Sequence, residues 1–446
     1  MSATVYRINA MLSSVLQDVP VGTNLDLFYL LWTLLTGRLL ASRGAIIPAL
    51  ADFGLPAPAV RRAWAALAAG DWDCDTLLAR WREQVLAEGQ WQPRCHGGYR
   101  PVAADLVGFF RPRLQDCPTT HYSSQAGKAL PALPFGMLAR IGAVGGQRLP
   151  LPVRLLRPAP DDPSEAALQA ALVQAAAAEL AEDEALVVDG GFPPALLLGA
   201  GLPRFVLRVA KNFTARRATL PERQRGRPPE RGELVRPLAR QYKGKTIPAT
   251  PADREESVLL DRFLVRIRYW ENLVLADAKP GAPTFTCLAI DDPRYTEPLL
   301  VISPLAAPGA VIFALYQDRW PVEQWPLSAK QMVGGVRQFV FAPESRQRLP
   351  EILLLAGSIL SHAAATLPAA PTGFWDRQPR PTPGRLRRVL AGVNFADLGA
   401  LPGRFRKKAS PTAHLPKGVR GHRRRPRSHP NEEALPLAPE PLPLAA

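Results

Sequence analysis

The chain has 446 residues, 47% hydrophobic and 21% charged, enough for a packed core under an ordinary soluble surface. Lys plus Arg is 55 against 39 for Asp plus Glu, a net charge of +16 that favours a polyanion, meaning nucleic acid or an anionic membrane. The 48 prolines argue against a coiled coil or a long helical solenoid; four cysteines without a paired spacing (Cys74, Cys95, Cys117, Cys287) exclude a disulfide scaffold and the common zinc modules and suit a reducing cytoplasm.

The opening MSATVYRINAMLSSVLQ has no uninterrupted apolar run behind a basic cluster, so no signal peptide is expected. The most apolar stretches are Leu27–Leu35 and Ile352–Leu367. The first is about half the ~20 residues of a membrane span. The second is broken by Gly357, Ser358, Ser361 and His362. Both read as buried helices, which leaves nucleic acid as the expected partner of the charge and no membrane.

Residues 1–97 carry apolar residues at helical spacing. A break at FGLPAP, with Gly54 and Pro56, precedes a helix bearing Arg61 and Arg62. This outline fits a DNA-binding helix-turn-helix, with an ordinary helical hairpin as the plain alternative. From about residue 98 the pattern turns to strands: RPVAADLVGFFRP with Asp105 in its middle, then GQRLPLPVRLLRP. Asp162-Pro163-Ser164-Glu165 predicts a helix start with Asp162 as N-cap. ALVVDGGF and RFVLRVAKN read as further strands, and strands alternating with helices indicate an α/β core over 98–212 and 301–370. Residues 213–300 open with a basic Pro/Gly-rich loop and continue as a β-rich insertion. A buried helix is expected over 349–367, a short helical segment within 371–400, and a disordered basic tail over 401–446. That tail holds ten Lys or Arg and no acid between 401 and 430, suited to phosphates or simply to solvent.

The chain has no P-loop, dinucleotide fingerprint, zinc-protease or hydrolase-elbow motif. Most of its six histidines lie in the tail or an apolar helix, so a histidine-based triad is poorly supported. Carboxylates remain. Asp105 interrupts an apolar run and Asp189 ends one, and a charge in such a place needs a partner, of which a metal ion is one. Downstream, Tyr316, Arg319, Glu323 and Lys330 are spaced Y-x2-R-x3-E-x6-K, close to one face if the stretch is a single helix.

This spacing resembles the Y-R-E-K signature of bacterial insertion-sequence DDE transposases, and the resemblance covers roughly residues 95–370. It implies an α/β fold with a ribonuclease H-like catalytic core, a β-rich insertion and a helical N-terminal domain. Asp105 and Asp189 match the family's two aspartates by position; the Thr that often follows the first is missing after Asp105, and Asp116, in a polar Pro-flanked stretch, is the nearest competitor. The resemblance implies that Asp105, Asp189 and Glu323 bind two Mg²⁺ ions (or Mn²⁺) and cut and join DNA strands by phosphoryl transfer. It gives Tyr316, Arg319 and Lys330 to DNA phosphates, and Trp270 to stacking on a flipped base. Arg208 and Lys211 follow the second aspartate as further DNA contacts. The implied partners are double-stranded DNA (transposon ends and target) and a second copy of the chain in a dimer, within the bacterial cytoplasm. The alternatives are a non-catalytic or domesticated DNA-binding descendant and a metal-dependent nuclease that cuts without joining.

Overall fold

Six helices open the chain: α1 (Ala3–Val15), α2 (Thr23–Leu35), α3 (Arg38–Ala41), α4 (Ile46–Asp52), α5 (Ala57–Ala69) and α6 (Cys74–Ala87). The computed structural model describes residues 2–222, 229–279 and 281–408. The tail from 409 onward and part of the basic loop therefore lie outside the described residues. α2 is buried from Asn24 to Leu35, as expected of a helix apolar all round. α4, the turn at Gly54 and α5 have the predicted outline, with Arg61 exposed and Arg62 facing Asp26 at 3.5 Å.

The sheet follows: β1 (Gln92–Pro93), β2 (Arg100–Phe110), β3 (Thr120–Ser123), β4 (Lys128–Val144) and β5 (Gln147–Leu156). Then come α7 (Glu165–Glu179), β6 (Glu184–Val188), α8 (Pro194–Gly199) and β7 (Phe205–Arg208). β5, β4 and β2 pair antiparallel, whereas β2, β6 and β7 pair parallel. Parallel neighbours need crossovers, and α7 and α8 lie in those connections. The cap of α7 is Ser164 rather than Asp162: Ser164 Oγ accepts from the Ala167 amide at 3.1 Å, while Asp162 accepts from the Ser164 amide. Only the hydroxyl two residues on reaches the third amide of the helix.

The remaining strands are β8 (Ala215–Arg217), β9 (Leu234–Val235), β10 (Arg240–Tyr242), β11 (Lys245–Ile247), β12 (Arg254–Leu260), β13 (Phe263–Leu275), β14 (Phe285–Asp291) and β15 (Leu299–Ser303). Residues 213–300 are β-rich, but most of their strands extend the central sheet in the order β7-β15-β14-β13-β8-β9; β10 and β11 pair apart. The reason is burial on both faces. Tyr269 and Leu288 enter one core, and their chain neighbours Trp270 and Ala289 enter the core behind. Strands covered on both sides cannot stand as a separate exposed sheet.

The chain closes with α9 (Gly309–Gln317), α10 (Pro321–Leu327), a π turn (Ser328–Met332), α11 (Pro343–Thr366) and α12 (Pro383–Leu390). α11 is long and apolar enough to cross a membrane, yet 89% of its most apolar window is buried inside the protein. It is a core helix: Trp81 donates to Ser358 Oγ at 2.9 Å and Trp325 to the Leu354 carbonyl at 2.8 Å. The helices of 1–97 share one hydrophobic core with α10, α11 and the near face of β2, β4 and β5. The far face, with Val102, Ala104, Leu186 and Val188, packs on Leu172 and Val173 of α7 and Leu197 of α8.

α11 approaches the π turn closely because Gly357 has no side chain. A Cβ there would stand 2.7 Å from the Ala329 nitrogen. Gly357→Val is therefore expected to destabilise the protein by about 1–3 kcal/mol, read by urea unfolding. An unchanged midpoint would show that α11 and the turn separate freely.

Candidate active site

The site begins with a strand register. Ala103 and Ala104 of β2 lie beside Val187 and Val188 of β6, in parallel. One residue further on each chain sets Asp105 next to Asp189. Neighbouring strands are ~4.8 Å apart and side chains alternate, so the two carboxyls leave the sheet on the face of Ala103 and Val187. On that face Ala103 shares a core with Val322 and Trp325 of α10, and Val187 one with Ile312 and Leu315 of α9. Both carboxyls thus emerge under the join of α9 and α10.

That join carries the Y-R-E-K residues, and it is not one helix. α9 ends at Gln317, α10 starts at Pro321, and Lys330 sits in the π turn. The single-face expectation fails because Pro321 has no amide proton to continue a helix and suits a first position. The bend brings the residues together instead. Arg319, 8% exposed, has Nη1 2.7 Å from Glu323 Oε1 and 3.9 Å from Asp105 Oδ2, and Nη2 3.7 Å from Asp189 Oδ2. Tyr316 Oη donates to Asp189 Oδ1 at 3.0 Å. Lys330 Nζ donates to the Gly108 carbonyl at 2.7 Å, over the rings of Phe109 and Phe110.

Burial and charge shift these groups. Burial pushes the Asp105 carboxyl up to about 6, with Arg319 opposing. Burial also acts upward on Asp189, but Arg319, the Gly190 amide and Arg208 together hold it below the usual carboxylate range. Burial works against the charge on Arg319, yet Asp189 and Glu323 keep its pKa above the ordinary value. Burial lowers Lys330 to about 8, and Asp105 opposes this. Burial, then Asp189, raises Tyr316. Among the described residues, Arg319 Nε is buried without a hydrogen-bond acceptor.

A residue not singled out from the sequence holds the bend. Asp318, 1% exposed, takes Arg94 Nε at 2.5 Å, His96 Nε2 at 2.7 Å and Arg148 at 3.3 Å. Burial alone would raise its pKa, but His96 and Arg94 hold it low. It ties the α9–α10 join to segment 94–96 and to β5. An acid directly before the signature arginine was the available signal.

A cleft of about 1140 Å³ opens beside Asp189. Arg208 and Lys211 line it, as does Arg294. Arg208 reaches Asp189 at 3.4 Å, while Lys211 pairs with Glu297. Trp270 is not brought to this site: it is 1% exposed, and its indole donates to the Thr250 and Pro251 carbonyls. The tryptophan on the cleft is Trp320, 52% exposed beside Arg319.

Asp105, Asp189 and Glu323 offer hard carboxylate oxygens, the donor chemistry that Mg²⁺ takes, and all three already meet one cation within 4 Å. The residues therefore fit a divalent ion in kind. As placed around Arg319, no three His, Cys, Asp or Glu side chains among the described residues are grouped closely enough to hold one. No protein-family model matches this chain, and no curated protein matches it.

A carboxyl bound more tightly to its proton when folded than when unfolded loses stability as pH rises. For Asp105 the window runs from about 4 to about 6. Asp105→Asn is thus expected to be more stable than the parent at about pH 8, by on the order of 2 kcal/mol, and equal to it at about pH 4. Urea unfolding in EDTA reads this; a variant less stable at the higher pH would mean that Arg319 outweighs burial.

Proposed function

We propose that the chain is a DNA transposase of the DDE type, with a ribonuclease H-like core that cuts DNA strands and joins their 3′ ends to a target. The observation that carries this reading is the meeting of Asp105, Asp189 and Glu323 on Arg319, with Tyr316 bonded to Asp189. Residues far apart in sequence, chosen by one spacing pattern and two strand positions, meet at one point. The mixed sheet, with β2 and β6 parallel and β2 and β4 antiparallel, supports the same core.

In this reading Asp105, Asp189 and Glu323 would hold two Mg²⁺ or Mn²⁺ ions, whose chemistry would be Lewis-acid activation of an attacking oxygen and neutralisation of charge on a leaving oxygen. Arg319, once a phosphate draws its guanidinium from the carboxylates, holds that phosphate in line. A guanidinium suits this because its planar fork matches two phosphate oxygens. Tyr316 keeps its hydroxyl aimed by Asp189. Arg208 and Lys211 line the path of the strand, and Lys330 adds a cation beside Asp105. The protein's share is positioning and charge stabilisation, so no protein nucleophile is needed. The net charge of +16 serves phosphate binding through counterion release. A cytoplasmic setting and a dimer that holds two DNA ends belong to the same reading.

The test uses DNA carrying the flanks of the chain's own gene. Cleavage is expected with Mg²⁺ and not with EDTA. Glu323→Ala is expected to lower it at least roughly 100-fold while duplex affinity changes little. Cleavage retained by Glu323→Ala would overturn the reading. Failure to join a pre-cut 3′ end, with cleavage intact, would make the protein a nuclease instead.

A further inference from the structure

A second groove, of about 410 Å³, lies where the chain leaves β2 and where, past a turn at Gly335 and Val336, residues 337–341 lead to α11. Along that stretch Gln338 and Val340 are buried while Arg337, Phe339 and Phe341 face out, the alternation of an extended chain. The buried side is tied to β2 by Arg111, whose guanidinium donates to Gln338 Oε1 at 3.3 Å and to the Val340 carbonyl. The other wall is Phe110 to Leu114, including exposed Arg113. The lining has three arginines and no acid.

Phe339 and Phe341 are 46% and 58% exposed, two large rings presented to solvent at adjacent outward positions. Their exposure calls for an occupant. The Arg111 guanidinium stands 5.9 Å from the Phe341 ring, so cation and ring form one surface. An apolar partner would leave the exposed Arg113 and Arg337 without a counter-charge, and a purely acidic partner would leave the rings in water. A chain of flat apolar faces joined by negative charges satisfies both. Duplex DNA hides the base faces in its stack, and a single strand offers them. The groove also has a direction: its residue Phe110 lies under Lys330 Nζ, 5.8 Å from the ring centre, and Lys330 is the cation beside Asp105.

We propose that this groove binds a single-stranded stretch of DNA, with bases stacked on Phe339 and Phe341 and phosphates paired with Arg113 and Arg337. The proposal does not depend on strand cleavage, since no carboxylate takes part.

The test is fluorescence anisotropy of a labelled oligodeoxythymidylate, and of a labelled hairpin duplex, in EDTA. Phe339→Ser/Phe341→Ser is expected to weaken the single strand about 10-fold or more and the duplex less than about threefold. Arg113→Gln/Arg337→Gln is expected to flatten the single-strand salt slope by about 1.4. Unaltered circular dichroism and melting would confirm that both variants fold. Unchanged single-strand affinity in both variants overturns the proposal, and so does an equal loss for the duplex. A shift from dimer to monomer in sedimentation with single-strand affinity intact would also overturn it, making the face a contact between copies. Because the assay omits divalent ions and leaves Asp105, Asp189 and Glu323 in place, its failure is separable from failure of the cleavage assay.

Discussion

Three carboxylates share one guanidinium under the join of α9 and α10, and the site depends on that charge balance. Burying an ionised carboxylate is costly unless it is paired, and Arg319 pairs with three at once. The distances are unequal. Glu323 holds the guanidinium at 2.7 Å, while Asp189 and Asp105 stand at 3.7 and 3.9 Å. Asp189 gains Tyr316 and Arg208 as well, so its carboxyl is held low. Asp105 has the weakest compensation, and its proton affinity shows it. A core tuned only for stability has no use for an acid in the middle of β2. Its presence is the kind of local cost that folds carry at working sites.

The rest of the fold holds this balance in place. The β2–β6 register fixes which residues are neighbours, and a slip by one would turn either carboxyl to the far face. The break at Asp318 and Pro321 aims Tyr316 and Arg319 downward, and Asp318 is anchored by Arg94, His96 and Arg148 from two other segments. The π turn then places Lys330 over β2, where Gly357 lets α11 press against it. The helices of 1–97 belong to this same packing through their shared core. They are therefore a buttress of the site as well as whatever else their surface does.

Much of this was legible in the chain because short apolar runs with one misplaced acid are unusual. VAADLV and LVVDGG mark a strand interior and a strand end, and both became neighbours in the sheet. Tyr316, Arg319 and Glu323 meet at one point even though they do not share one face of a single helix. Pro321 was the signal that the helix restarts there. Trp270 was harder. Along β13 the residues Val265, Ile267 and Tyr269 point to one core, Trp270 points to the other by alternation, and the register shift after it brings Leu273 to that second core as well. Whether both faces of a strand are covered depends on partners distant in sequence, so one strand's pattern does not reveal it. The same limit hid the continuity of 213–300 with the central sheet. Asp318 was missed because its partners Arg94, His96 and Arg148 come from other elements.

The crowding around Arg319 has a thermodynamic consequence. Under the proposed reading, phosphate oxygens and the three carboxylates would compete for the same guanidinium, and a divalent cation would compete with that guanidinium for the carboxylates. A phosphate that drew Arg319 outward would lower the cost of placing a cation among Asp105, Asp189 and Glu323, and the cation in turn would release Arg319 to the phosphate. Linkage requires the two effects to be equal in free energy. Nucleic acid and divalent ion would therefore bind this site cooperatively. With neither bound, Arg319 pairs with the carboxylates, and charge repulsion among them is relieved by the protein's own side chain. That arrangement pairs the acidic cluster within the protein itself, and under the proposed reading it would tie exposure of the carboxylates to the arrival of DNA.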